Sequence, residues 1–386
     1  MATASRTDRI ERTRAAVERV CSSSDSADAL LEGLSVEMHR AVPHVGSTWF
    51  GVDPATMLAT APSRIEYQEA GLCDTFWHLE FHEHDTAQFA DLARGMGAAA
   101  LRLTLDDRLT RSIRYREFMQ PQGYEDELRA VFQTGTSTWG VVGLYRDSAT
   151  TPFDENDLAI LKSIGGLVAA AIRRHIRAAN PRLGQPSAPG LLMIDRDGHV
   201  VSTNAEAIDW LRELWPLALS PTAGQLDSFE VFDYQSRDIE VPTPLFAVVA
   251  KARAIADGRE RGSARLRVRD RRGRWLVLHA SALTSSTTDT GTVAVVIEAA
   301  KSAEVAPIVI EAYSLTPRER DVLGALARGE STSEIAAALY LSPHTVRDYV
   351  KAVFEKFAVS SRGELVARLF GEHYVDPLHA TMVHLD

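Results

Sequence analysis

The stretch "STSEIAAALYLSPHTVRDYVKAVFEKF", residues 331–357, holds two helix starts a few residues apart. Ser331 followed three residues later by Glu334 predicts a capping box, in which hydroxyl and carboxylate each accept an otherwise orphaned backbone N–H. Ser342 ahead of Pro343 predicts a second start, with proline at the first helical position, where its missing N–H costs nothing. Only a tight turn fits after Leu339, so the spacing predicts a helix-turn-helix. Upstream, "TPRE", residues 316–319, repeats the capping box with proline at the first position, and Gly329 suits the end of the helix it opens.

In the helix after Ser342, the spacing of Val346, Val350, Val353 and Phe357 predicts a face packed on Ile335, Leu339 and Leu323. The other side carries His344, Arg347, Asp348 and Lys351. Ser342, Thr345 and the helix N-terminus can donate to phosphate, while Arg347 and Lys351 can reach base edges in a major groove. The plainer reading is a helical bundle with a solvated charged face, and for Asp348 alone an i,i+3 pair with Lys351 would suffice. The whole chain carries a formal charge of −10. Residues 314–370 hold eight Lys and Arg against seven Asp and Glu, leaving −11 on the rest. An acidic bulk opposes indiscriminate adhesion to nucleic acid, so any basic face must be confined and oriented.

The run "LTPRERDVLGALARGESTSEIAAALYLSPHTVRDYVKAVFEKFAVSSRGELVARL" closely resembles the LuxR-type helix-turn-helix. It matches the L-T-x-R-E opening, the G-x-S-x-x-E-I-A second helix, the L-S-x-x-T-V start of the recognition helix and the closing K-x-x-V-x-S-R-x-E-L. The resemblance implies a four-helix domain that binds palindromic promoter DNA as a dimer. It places Arg347, Asp348 and Lys351 at base-reading positions, and Ser342, Thr345, Lys356 and Arg362 near phosphates. Asp348 departs from the family, which often has an apolar residue there, and Tyr349 replaces a common histidine.

At 386 residues the chain is long enough for several domains, and 45% hydrophobic with 24% charged residues is the composition of a globular protein. Two cysteines, Cys21 and Cys73, exclude a disulfide framework and a multi-cysteine zinc site. No apolar run reaches spanning length and the opening residues lack an apolar signal core, so a cytoplasmic protein with no membrane partner is expected. Apolar spacing predicts helices over 6–20 and 25–42, a strand in "GSTWFGVDPATMLAT" ended by an Asp-Pro turn, and a hairpin around Thr-Gly-Thr in "DELRAVFQTGTSTWGVVGLYRD". Asp154 is placed to cap a long helix whose apolar row is Leu158, Leu161, Ile164, Val168 and Ile172. After a Pro/Gly linker, a hairpin around "DRDG", a short helix and further strands form a second α+β unit.

These two units resemble a GAF domain and a PAS domain. The expected architecture is multidomain: an N-terminal helix (1–24), an α+β GAF-like domain (25–180), a linker (181–189), an α+β PAS-like domain (190–305), a connector (306–313), an all-α four-helix LuxR-type domain (314–371) and a tail (372–386). The order implies a one-component regulator in which a small molecule bound upstream alters the dimer arrangement of a DNA reader. Its partners would be promoter DNA, an unidentified effector, a second copy of the chain and RNA polymerase. Tyr67, Phe76, Trp77 and Phe81 are the candidate effector walls, with burial in an ordinary core as the competing reading. His78, His82 and neighbouring carboxylates lack a zinc-site spacing, so no metal or cofactor is expected, and Cys73 has no second cysteine to resolve a disulfide. Neither a Walker loop nor G-x-S-x-G is present, so no catalytic residue is expected. A sensory scaffold docking a protein partner, or a metal- or redox-gated regulator, are the alternative functions.

Overall fold

A computed structural model describes residues 6–66, 73–178, 188–214, 243–270, 273–284 and 291–370. The first unit begins with α1 (Arg6–Ser23) and α2 (Ala27–Ala41), the latter capped by Ser26, whose side chain accepts from the Ala29 N–H. Strands β1 (Gly46–Val52) and β2 (Ala59–Glu66) follow, then α3 (Cys73–His82), α4 (Phe89–Arg94), β3 (Ala98–Ala100) and α5 (Leu101–Leu105). The predicted hairpin is β4 (Tyr124–Thr134) and β5 (Ser137–Asp147), closed by Gly135 at φ +61°, a left-handed conformation that favours glycine. Asp154 caps α6 (Glu155–Ala178), accepting from the Asn156 and Asp157 N–H groups at 2.8 and 2.9 Å. The strands form one antiparallel sheet in the order β2-β1-β5-β4-β3.

This sheet is covered on both sides, so all seven residues of β1 are buried rather than alternating. Trp49, Leu128, Phe132 and Val142 share a core with α1, α2 and α6, including every member of the predicted Leu158-to-Ile172 row. Phe50, Val131 and Tyr145 face the α3 side. The strand after the Asp-Pro turn, β2, was not apparent in the sequence.

The second unit comprises β6 (Gly190–Ile194), β7 (Val200–Thr203), α7 (Ala205–Glu213), α8 (Thr243–Ala256), β8 (Arg265–Arg269), β9 (Trp275–Ala282) and β10 (Val293–Ala299). Its sheet runs β7-β6-β10-β9-β8, so the second-first-fifth-fourth-third order of the first sheet recurs. Helix α9 (Ser302–Ala312) then leads into α10 (Pro317–Arg328), α11 (Thr332–Leu339), α12 (Pro343–Phe357) and α13 (Arg362–Phe370). The multidomain expectation of two α+β units and an all-α C-terminal segment holds. No described helix is long and apolar enough to cross a membrane.

The two α+β units share one apolar core, because α3 packs against α8. Three alternating arginines on edge strand β8 reach out of its sheet. Arg267 makes a bidentate pair with Asp53, Nε to Oδ2 at 2.7 Å and Nη2 to Oδ1 at 2.8 Å, with both residues buried. Arg269 donates to the carbonyls of His175 and Ile176 at the end of α6, and Arg265 pairs with Glu304 of α9 at 2.5 Å. A buried bidentate pair of this kind is costly to break one-sidedly, since the surviving charge stays out of water. Asp53→Ala should therefore destabilise the chain by about 3–5 kcal/mol in urea unfolding; a loss below about 1 kcal/mol would show that Arg267 finds water or another partner.

At the α3–α8 contact, His82 is buried with Nε2 3.2 Å from the Ala250 carbonyl and Nδ1 3.5 Å from the Asp257 carboxylate. Burial, reinforced by His78 stacked on it, pushes its pKa below the ordinary histidine value. The unfolded chain then takes up the proton more readily, so the contact is fully stable above about pH 6.5 and weakens as pH falls from there toward the folded pKa. The drop in melting temperature between pH 7 and pH 5 should be smaller in His82→Gln than in the parent chain. An equal drop would assign the acid sensitivity elsewhere.

Candidate nucleic-acid interface

Each predicted cap of the C-terminal bundle forms. The Thr316 N–H donates to Glu319 at 2.6 Å while the Glu319 N–H donates back to Thr316 Oγ1 at 3.3 Å. Ser331 and Glu334 repeat this at 2.7 and 3.3 Å, and Ser342 Oγ accepts from the Thr345 N–H at 3.1 Å. Gly329 ends α10 at φ +95°. Only Tyr340, Leu341 and Ser342 separate α11 from α12, and the turn closes because Tyr340, 96% exposed, takes a left-handed conformation at φ +56°. A tyrosine there carries backbone strain that glycine would avoid. Nothing in the capping pattern pointed to Tyr340.

Val346, Val353 and Phe357 are fully buried against Leu323, Ile335, Leu365 and Leu369, with Val350 and Leu339 packed at the margin. The helix therefore turns His344, Arg347, Asp348 and Lys351 outward, and all four are exposed. Ser342 is exposed beside them and Thr345 is partly so, their hydroxyls 2.9 Å apart. Asp348 does not pair with Lys351. Its Oδ2 lies 4.0 Å from His344 Nδ1, one turn back, whereas Lys351 reaches Glu355 at 3.9 Å, one turn on. Long contacts between exposed groups restrain little, so both basic side chains and the carboxylate remain available to a ligand.

Lys356 and Arg362 differ from that face. Lys356 Nζ donates to Glu319 at 2.5 Å and to the Ser314 carbonyl at 3.2 Å. Burial raises the Glu319 pKa, but hydrogen bonds from Lys356 and Thr316 outweigh it and hold the carboxyl below its usual range. Arg362 donates to the Glu330 carbonyl at 2.9 Å and to that of Leu326, binding α13 to the end of α10.

The candidate effector walls lie elsewhere. Phe76 and Trp77 are 4% and 1% exposed, in a ring cluster with Phe50, Phe89 and Phe118, and Phe81 stacks on Trp77. Tyr67 falls outside the described residues. Beside these rings runs a buried ionic network: Arg114 to Glu127 at 2.7 Å and Arg129 to Glu80 at 2.8 Å, with the Arg129 guanidinium 3.6 Å over Phe89. Trp77 Nε1 is buried without a partner. His82 spends its ring on Ala250 and Asp257, with the His78 ring stacked on it. Burial pushes the Cys73 thiol up to about 11, which disfavours the reactive thiolate.

Residues 313–369 match the family described as bacterial regulatory proteins, luxR family. The C-terminal segment is a LuxR-type helix-turn-helix. Over 76 residues the chain is 40% identical to the probable transcriptional regulatory protein NarL of Mycobacterium tuberculosis, covering 20% of this chain and 32% of that protein. Over 58 residues it is 43% identical to the transcriptional regulatory protein DesR of Bacillus subtilis, covering 15% and 29%. The chain thus spans about a third of the length of these relatives. Among solved structures, the GAF domain from a phosphoenolpyruvate-protein phosphotransferase of Coxiella burnetii aligns with 45% of this chain and 98% of its own at 11% identity and a TM-score of 0.32. The phage VqmA–DPO complex aligns with 53% and 88% at 20% identity and a TM-score of 0.24.

The LuxR-type domain is tied to the rest of the chain through its core. Tyr313 stacks on Phe357, the last residue of α12, with ring centroids 3.8 Å apart, and the Arg177 guanidinium of α6 sits 4.6 Å over the same tyrosine. Arg173 of α6 donates twice, at 3.2 and 3.0 Å, to the carbonyl of Ala312. For the domain itself, Lys356→Met should lower stability by about 1–2 kcal/mol, as a partly shielded charge-assisted bond is lost. Lys351→Met should change it by less than about 0.5 kcal/mol. Equal losses in thermal melts would place Lys351 among the structural residues.

Proposed function

We propose that the chain is a cytoplasmic, sequence-specific DNA-binding transcriptional regulator rather than an enzyme, in which the two α+β units respond to a small molecule and α9 transmits the response. The observation that carries this reading is the outward face of α12, set by three formed caps and a tight turn in a segment that matches the luxR family. In the proposed complex the N-terminus of α12, with Ser342 and Thr345, meets phosphate, and His344, Arg347, Asp348 and Lys351 face base edges. Lys has three donors and Arg five, so Lys356 and Arg362 keep donors beyond their bonds to the bundle, and we assign these to flanking phosphates. Two copies of the chain would read the two halves of a palindrome, and RNA polymerase would be met through DNA-bound dimers. Effector contact with Phe81 at the rim of the Phe76/Trp77 cluster, and with Tyr67, remains part of the proposal, as does a shift between dimer arrangements.

The stacking of Tyr313 between Arg177 and Phe357 supports α6 and α9 as the route by which such a shift reaches the recognition helix. In gel shifts with DNA from upstream of its own gene, Arg347→Ala and Lys351→Ala should each weaken the specific complex by about 1–3 kcal/mol. Full binding by both variants would remove α12 as the reading face. Asp348 can accept from cytosine N4 and repels phosphate, so Asp348→Val should narrow the gap between specific and competitor DNA while tightening binding to the competitor. An unchanged ratio would make Asp348 a solvated charge.

A further inference from the structure

A cleft of about 420 Å³ opens where the β1–β2 turn, β8 and the start of α9 meet. Its walls include Thr56, Lys251, Arg261, Arg265, Arg267 and Glu304, four cations against one carboxylate. Three of the cations are already engaged: Lys251 with Glu260 at 2.9 Å, Arg265 with Glu304, and Arg267 with Asp53. Arg261 is exposed and has no ionic partner among the described residues. Arg265 also keeps a buried Nε without a hydrogen bond. A buried unpaired donor normally calls for a partner, and a group of guanidinium side chains on one cleft wall is what an anion needs. The first turn of α9 forms part of the wall through Ala303 and Glu304, so its backbone adds the positive end of a helix dipole.

We infer that this cleft binds a small multivalent anion, a phosphate or polycarboxylate compound, and that the anion acts by taking Arg265 away from Glu304. Glu304 is the residue through which the cleft touches α9. One oxygen accepts from Arg265, the other caps the helix by accepting from the Lys301 N–H at 2.8 Å, and its carbonyl lies 3.4 Å from an Arg267 nitrogen. Pro307, on the same wall, has no N–H to offer the Ala303 carbonyl, so the first turn of α9 is short of one helical hydrogen bond and leans on these contacts. An anion that occupied Arg261 and Arg265 would remove the side-chain pair between Glu304 and β8, leaving the helix start to its cap and the longer Arg267 contact. The other end of the same helix meets α6 and the recognition helix, which places the cleft upstream of the DNA reader. The coupling, though not the binding site, rests on the DNA-binding function proposed above.

Isothermal titration of the full chain with inorganic phosphate, pyrophosphate and citrate tests the site, and gel shifts with and without the probe test the coupling. At least one probe should bind saturably and with an affinity that falls as salt rises. Arg261→Glu, an exposed change that spares the fold, should weaken binding about tenfold or more, and Arg265→Gln likewise. Glu304→Gln retains a helix cap but loses the ion pair, so it should shift DNA affinity in the direction the bound probe does, without probe. Absence of saturable binding to all three probes, or binding indifferent to Arg261→Glu and Arg265→Gln, overturns the site. Binding that leaves DNA affinity unchanged while the unliganded protein still forms its specific complex overturns the coupling. If no specific DNA complex forms at all, the DNA-reading function fails and the titration still decides the site.

Discussion

Three arginines alternate on one face of an edge strand, and the arrangement of the molecule depends on them. β8 is the last strand of its sheet and has a period of two, so Arg265, Arg267 and Arg269 leave the same side of the sheet in a row. Each grips a different element: the start of α9, the β1–β2 turn and the end of α6. Arg267 and Asp53 are both buried, Asp53 completely, and an unmatched charge there would be far costlier than at the surface. That requirement fixes the register of the second sheet against the first unit, and with it the point from which α9 departs.

Helix α9 then serves two cores with eleven residues. Val305, Ile308 and Ala312 pack with α6 and the second sheet, Ile310 packs with the helix-turn-helix, and Val309 touches both. Tyr313, just beyond it, lies in the core of the helix-turn-helix domain against Phe357. A helix divided this way cannot rotate or slide without uncovering apolar surface on one side. Movement at its start is therefore communicated to its end, and interiors packed this closely respond by switching between arrangements rather than by gradual deformation.

The parts legible in the sequence were those whose signal is local. Caps, the Thr-Gly-Thr hairpin and the apolar row of α6 each depend on residues within a few positions of one another, and each formed where the spacing put it. The outward face of α12 was equally readable, because burying Val346, Val353 and Phe357 leaves only one direction for Arg347 and Lys351. Helix α8 escaped notice because it is apolar nearly all round, being enclosed between α3 and its own sheet, so it lacks the periodic contrast on which such a reading depends. The alternation of "RLRVR", residues 265–269, is that of a strand, but nothing in it names Asp53, 214 residues away.

The same division holds for the side chains assigned to function. Residue order alone determined that residues 331–357 form a helix-turn-helix with a polar outward face, since helical periodicity and capping chemistry act within one or two turns. Only the tertiary structure decided which neighbouring charges are spent, Lys356 on Glu319 and Arg362 on the end of α10. It also decided that Phe76 and Trp77 lie inside a packed ring cluster and that four cations converge on a cleft at the base of α9. Charge pairing and burial depend on distances between residues far apart in the chain, and those distances exist only once the sheets and helices have packed.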